Sequence, residues 1–254
     1  MDLYFKKSGS GKALIILHGL FGMGDNWVTL SRGYAAKGFE VFVPDLRNHG
    51  RSPHSEKFDY ESMAQDLSDF ISKNGLSKAS IIGHSLGGKV SMYFAALFPD
   101  QLEKLIVVDI GTKYYPPHHQ GVLAAIHAVR PQELAGRKEA EARLREALSE
   151  ESTIQFLLKN LYWNDNEKLE WRFNIVSIEK NIEEVGKALP DDFYISAPTL
   201  FLAGERSGYI KPEDIPGIRK HFSNVDFAII PDAGHWVHAE NPEVFFKRSL
   251  EFLL

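Results

Sequence analysis

Residues 79–90 read Ala79-Ser80-Ile81-Ile82-Gly83-His84-Ser85-Leu86-Gly87-Gly88-Lys89-Val90, and Ser91-Met92-Tyr93-Phe94-Ala95-Ala96-Leu97 follow. A short apolar run, a glycine-rich turn around a serine and then a helical run form Gly-x-Ser-x-Gly in the context that a serine nucleophile requires. The serine has to sit on a strained strand-to-helix turn with its hydroxyl exposed, and side chains at Gly83 and Gly87 would collide with neighbouring backbone. The helix beginning behind Ser85 turns free backbone N–H groups toward developing negative charge. A nucleotide-binding glycine loop is the competing reading, and the rest of the chain opposes it. No Gly-x-Gly-x-x-Gly follows the first strand, and Gly9-Ser10-Gly11-Lys12 lacks the upstream glycine of a phosphate loop and precedes a strand rather than a helix.

Outward from this turn, further apolar runs recur at Ala13–Leu17, Glu40–Val43, Leu105–Val108, Thr199–Leu202 and Asp226–Ile230. Their near-continuous apolar character predicts strands buried on both faces of a parallel sheet. Helical periods lie between them, as in Met63, Leu67, Phe70 and Ile71. This alternation predicts right-handed βαβ crossovers, with Leu3–Lys7 available as one antiparallel edge strand. After Asp109 the alternation stops until Thr199, and the gap reads as helical. Pro131 opens a charged, alanine-rich run through Leu148, Thr153–Leu161 carries Ile154, Phe156, Leu157 and Leu158, and a third helical pattern spans Glu170–Leu189. Connections are ordinarily far shorter. The expected layout is a core of residues 1–110 and 196–254, with residues 111–195 inserted as a helical cap.

Three further elements complete the chemistry. After Ala13–Leu17 comes His18-Gly19-Leu20-Phe21-Gly22-Met23-Gly24, a turn able to place a backbone amide opposite the nucleophile. With the amide of Leu86, that of Leu20, or in second place Phe21, would cradle a tetrahedral oxyanion. Among ten histidines, His235 in Ala233-Gly234-His235-Trp236 follows the last strand and fits the chain order serine, acid, histidine. Its imidazole can take and return a proton around neutral pH. His238 has no third ligand to make a metal pair, and His118-His119 reads as exposed cap surface. The acid is less direct: an aspartate is expected near Ser207, after the next-to-last strand, and none is there. Asp109, ending the strand that follows the nucleophile helix, is preferred, with Glu205 and Asp214 as rivals. Its bond would fix the imidazole tautomer.

Composition narrows the function classes. Twenty-nine Lys and Arg against 34 Asp and Glu leave a net charge of −5, which disfavours nucleic acid as a partner. The absence of cysteine removes disulfides, thiolate catalysis and cysteine metal sites. No secretory leader pattern opens the chain, and no stretch reaches the ~20 apolar residues of a spanning helix. The expectation is a cytoplasmic enzyme with no membrane partner, no metal and no cofactor, a monomer or a weak homodimer through exposed cap helices.

The motifs His18-Gly19-Leu20-Phe21-Gly22, Asp45-Leu46-Arg47-Asn48-His49-Gly50-Arg51-Ser52, Gly83-His84-Ser85-Leu86-Gly87-Gly88-Lys89, Trp171-Arg172-Phe173-Asn174 and Gly234-His235-Trp236-Val237-His238-Ala239-Glu240 run in one order over nearly the whole chain. Together they resemble the α/β-hydrolases, and within them a branch of small bacterial acyl-ester and acyl-CoA esterases with mitochondrial relatives. The resemblance implies the α/β-hydrolase fold, a doubly wound mostly parallel sheet with an inserted helical cap, and an aspartate at the position of Asp109 completing the triad. It also implies cofactor-free hydrolysis of small-molecule acyl esters, with thioesters of coenzyme A as a second substrate class. His84, Trp236, Phe156, Trp163 and Arg172 are candidate substrate-binding residues. Tyr162, Trp171 and Phe173 could add to an apolar acyl channel, and Arg47, Arg51 and Arg172 either receive a phosphate-bearing leaving group or pair with acids at the cap hinge. Cleavage of a carbon–carbon bond or lactone, a cofactor-free peroxidase on the same triad, and a ligand receptor without turnover are the alternatives.

Overall fold

The computed structural model describes all 254 residues. Seven strands form one sheet: β1 (Phe5–Gly9), β2 (Lys12–Leu17), β3 (Phe39–Pro44), β4 (Ala79–His84), β5 (Leu102–Val108), β8 (Thr199–Gly204) and β9 (Val225–Ile230). Their spatial order is β1-β3-β2-β4-β5-β8-β9, and only β1 is antiparallel to its neighbour. The edge strand lies two residues later than the sequence predicts, because Phe5 pairs with Pro44 and Gly9 with Glu40. The runs 12–17, 79–84 and 102–108 are almost wholly buried, as parallel strands covered on both faces must be.

The chain runs from β2 outward to β3, then returns past β2 to β4, so the winding direction reverses between β2 and β4. Such a reversal leaves a crevice beyond the carboxyl ends of those two strands. Residues 18–22 leave β2 there and Ser85 leaves β4, with Leu17 and Gly83 in register.

Helices cover both faces. Helix α2 (Tyr60–Lys73) begins where the side chain of Asp59 accepts the Ser62 amide, and buries Met63, Leu67, Phe70 and Ile71. It packs beside α3 (Leu86–Leu97) on one face. On the other face, α1 (Val28–Ala35) and α9 (Pro242–Leu253) bury Tyr34 and Phe245 against Ile16, Ile82 and Val108. Truncating a fully buried phenylalanine such as Phe245 to alanine costs about 3–5 kcal/mol. No helix is long and apolar enough to cross a membrane.

Between β5 and β8 the chain forms α4 (Gln120–Val129), α5 (Arg137–Ala147), α6 (Glu151–Leu158), α7 (Ile175–Lys180) and α8 (Ile182–Val185). The all-helical expectation fails over 161–171, where β6 (Leu161–Trp163) and β7 (Leu169–Trp171) make an antiparallel hairpin. Its aromatic, alternating residues suit a strand, and Asn164 ties the turn by accepting the amides of Asn166 and Lys168. Leu123, Leu144, Ile154, Leu157 and Phe173 join one continuous core with Leu86 and Ile110. Lys89, fully buried on α3, donates to the carbonyls of Thr112, Lys113 and Lys187 at 3.3, 2.8 and 2.8 Å, so one ammonium ties together the two ends of the insertion. Burial pulls its pKa down to about 7.

Candidate active site

Ser85 has φ 53° and ψ −114°, a conformation a β-substituted residue adopts only under constraint. The constraint is visible. Its amide donates to the carbonyl of Val108 at 2.9 Å, prolonging the β4–β5 ladder into the turn. A Cβ on Gly83 would lie 2.4 Å from the carbonyl oxygen of Gly87, and one on Gly87 2.6 Å from that of Leu17. Glycine is required at both positions. Ser85 faces a cavity of about 250 Å³, which Leu20, Phe156, Trp236 and His235 also line.

Asp109 follows β5, also at positive φ, and its amide donates to the Leu202 carbonyl at 2.8 Å. The fully buried carboxylate accepts three hydrogen bonds: from Nδ1 of His235 at 2.8 Å, from Oγ of Ser207 at 2.6 Å and from the amide of Gly204 at 3.1 Å. The rivals are engaged elsewhere. Glu205 accepts the amide of Asp232, while Asp214 accepts Nζ of Lys113 and the amide of Lys211. Ser207 stands where an aspartate is expected and instead donates to the aspartate one strand away.

His235 is fixed from several sides. Glu240 accepts the amides of Gly234 and Trp236, the residues flanking it. Nε2 of His84 donates to the carbonyl of His235 at 2.8 Å, and the ring of Tyr209 stacks on its imidazole at 4.1 Å. With Nδ1–H directed at Asp109, Nε2 carries the free lone pair. His84 thus lines the cavity and also holds the loop of His235, and burial holds its own imidazole neutral.

The turn after β2 is closed by the Gly22 amide on the Gly19 carbonyl at 2.9 Å. Phe21, at φ 58°, donates its amide to Nε2 of His49 at 3.1 Å. This removes Phe21 as an oxyanion donor, because its N–H is already bound. The amide of Leu20 remains, as does that of Leu86, which opens α3 and belongs to the helix's unpaired first turn. His18 and His49 both use Nε2 as acceptor, from Leu46 and Phe21, and donate Nδ1–H to the carbonyls of Gly19 and Arg47. Burial lowers their pKa to about 4 and about 3. His238, stacked on Trp27 at 3.9 Å, is lowered to about 3 for the same reason.

Other sequence expectations need correction. His118 and His119 line the cavity rather than only the surface, with Nε2 of His118 and the hydroxyl of Tyr209 2.6 Å apart. Trp163 is half-exposed on the β6–β7 hairpin, outside the cavity, because it points away at the strand end. Arg172 lies over the ring of Tyr162 at 4.3 Å, also outside it. Arg47 is buried and pairs with Asp66 at 2.6 Å, and Arg51 donates to the hydroxyl of Tyr4. None of the three arginines lines the cavity. Asn48, at φ 65°, donates to Oγ of Ser177 and accepts from Asn174, so the Arg-Asn-His-Gly motif anchors the inserted segment.

Comparison with known proteins agrees with this architecture. A family model described as alpha/beta hydrolase fold matches residues 12–242. The chain is 37% identical over 256 residues to the sn-1-specific diacylglycerol lipase ABHD11 of Danio rerio, covering 98% of this chain and 80% of that one. Esterase YbfF of Escherichia coli is 36% identical over 243 residues, covering 94% and 92% of the two chains. Among solved structures, a marine microorganism esterase superposes with a TM-score of 0.96 at 43% identity, covering 99% of each chain.

Proposed function

The chain belongs to the alpha/beta hydrolase fold family, and from that membership we propose that it cleaves carboxylic esters through an acyl-enzyme on Ser85, with His235 as general base and Asp109 as the acid that orients it. It is a carboxylic ester hydrolase; the residue roles are our reading of the geometry. The observation that carries them is the 2.8 Å bond from Nδ1 of His235 to Asp109, with Ser85 and His235 lining one cavity.

In the first step Ser85 Oγ attacks the ester carbonyl while His235 Nε2 takes the hydroxyl proton. The carbonyl oxygen becomes an oxyanion against the amides of Leu20 and Leu86. The C–O bond to the alcohol then breaks, and the alcohol leaves with the proton from His235. Water, deprotonated by the same imidazole, attacks the acyl-enzyme; the bond from the acyl carbon to Ser85 Oγ breaks, Oγ takes the proton back from His235, and the carboxylic acid is released. Asp109 keeps Nδ1 protonated and stabilises the transient imidazolium.

Residues 111–195 act in this reading as a cap over the site, since Val122, Thr153, Phe156 and Leu157 complete the cavity wall. Its volume of about 250 Å³ is below the roughly 300–1,000 Å³ of pockets for drug-sized ligands. That size favours short acyl groups. Thioesters of coenzyme A would follow the same chemistry, but no arginine lines the cavity to receive their phosphates. A panel of nitrophenyl esters, acyl-CoA thioesters and lactones, run on the wild type and on Ser85→Ala, tests the proposal. Ester turnover abolished in a folded Ser85→Ala supports it; undiminished turnover refutes it.

A further inference from the structure

Asn160 lies in the inserted segment between α6 and β6, far in sequence from the crevice, and is fully buried. Its Nδ2 donates to the carbonyl of Phe21 at 2.7 Å. Phe21 is the third residue of the turn closed by Gly19 and Gly22, the position where positive φ ordinarily calls for glycine or asparagine. A phenylalanine there, at φ 58°, holds only if its surroundings over-determine it.

Two hydrogen bonds do so from opposite sides. The core holds the Phe21 N–H through His49 at 3.1 Å, and Asn160 holds the Phe21 C=O. Asn160 is itself immobilised, since its amide donates to Leu157 and its carbonyl accepts from Arg172, both at 2.9 Å. The amide of Leu20 sits in the same turn and takes no partner of its own.

We propose that Asn160 is a positioning residue for the oxyanion hole: from within the inserted segment it locks the turn so that the Leu20 amide stays aimed at the carbonyl oxygen that becomes the oxyanion when Ser85 attacks. The proposal rests on the reading of Leu20 and Leu86 as oxyanion donors. Without the Asn160 donor, the Phe21 carbonyl loses its buried partner, and the peptide between Phe21 and Gly22 keeps only the bond of its N–H to the Gly19 carbonyl. That Gly19 carbonyl shares its peptide plane with the Leu20 amide, so loosening the Gly22 bond takes away the fixed direction of the Leu20 N–H. Because the oxyanion exists only after attack, the loss acts on the transition state and not on substrate binding.

The test uses the chain carrying Asn160→Leu, which keeps the size and removes the donor, and Asn160→Ala. Steady-state kinetics on nitrophenyl butyrate are combined with inhibition by an alkyl trifluoromethyl ketone, whose adduct with a serine places an oxyanion in the hole, and with thermal unfolding. The expected result is a kcat reduced about 10- to 100-fold with KM within about threefold, and an inhibitor affinity weakened by the same factor as kcat/KM. Cooperatively folded variants with kcat and inhibition near wild type would overturn the proposal. So would a rise in KM at constant kcat, or failure of both variants to fold, which would make Asn160 a folding residue. Ser85→Ala in the same assays separates the two readings: retained hydrolysis there removes the underlying mechanism, whereas an inert Ser85→Ala beside unaffected Asn160 variants removes only this inference.

Discussion

Oγ of Ser207 donates a 2.6 Å hydrogen bond to the same carboxylate oxygen of Asp109 that receives Nδ1 of His235. The serine steadies the acid through the oxygen that it shares with the imidazole, and the Gly204 amide binds the second oxygen. The two residues should therefore differ in weight. Asp109→Asn is expected to lower kcat by 10³–10⁴-fold, on the order seen when a triad acid is replaced, because the wrong tautomer is then stabilised. Ser207→Ala removes one bond worth roughly 1 kcal/mol, and kcat should fall only about fivefold. Equal losses in the two variants, measured on one ester, would contradict the assignment.

The elbow glycines should tolerate nothing larger. A Cβ on Gly87 meets the carbonyl oxygens of Leu17 and His18 at 2.6 and 2.7 Å, so Gly87→Ala must push β2 away from α3. A loss of about 1–3 kcal/mol in urea unfolding is expected, with turnover falling alongside it. An alanine variant of wild-type stability and rate would show that the turn is not held as described.

Buried histidines make stability sensitive to acid. His18, His49 and His238 are neutral in the folded chain, with pKa values pulled by burial to about 4, about 3 and about 3. Above pH ~6.5 both folded and unfolded chains hold them neutral, and they impose no pH dependence. Below it the unfolded chain takes up protons that the fold refuses. Each histidine then removes about 1.4 kcal/mol of stability per pH unit, until pH reaches its folded value. Urea midpoints should fall gently from pH 7.5 to 6.5, as buried Lys89 finishes protonating in the folded chain, and steeply from there toward pH 4.5. Constant stability across that range would mean that these rings are protonated in place.

How much of this is legible in the sequence depends on the range of the interactions. The parallel strands are, because burial on both faces leaves continuous apolar runs such as Leu14–Leu17 and Leu105–Val108. The elbow is too, since the chemistry itself demands glycine at 83 and 87. Long-range partners are not. Whether His118 meets solvent or Tyr209 is decided by how residues 111–195 return to the core, and Trp163 and Trp171 fit a helical or an alternating pattern equally well before the hairpin is known. Ser207 and Asn160 carry no local signature, because each acts through one hydrogen bond to a residue about a hundred or more positions away.

The cavity sets an expectation for acyl length. Each methylene buried against Phe156, Leu157 and Trp236 contributes about 0.8 kcal/mol, so kcat/KM should rise about fourfold per carbon while the cavity fills. It should then level off or fall once the roughly 250 Å³ are used. A series of nitrophenyl esters from acetate upward measures this directly, and a monotonic rise to palmitate would contradict a chamber of that size.

The most direct measurement of the whole account is the covalent intermediate. The enzyme is quenched in acid during turnover of a nitrophenyl ester, digested, and its peptides weighed. The account predicts the acyl mass on the peptide containing Ser85, absent from Ser85→Ala. Turnover with no acylated peptide, or an acyl group on another residue, would contradict it.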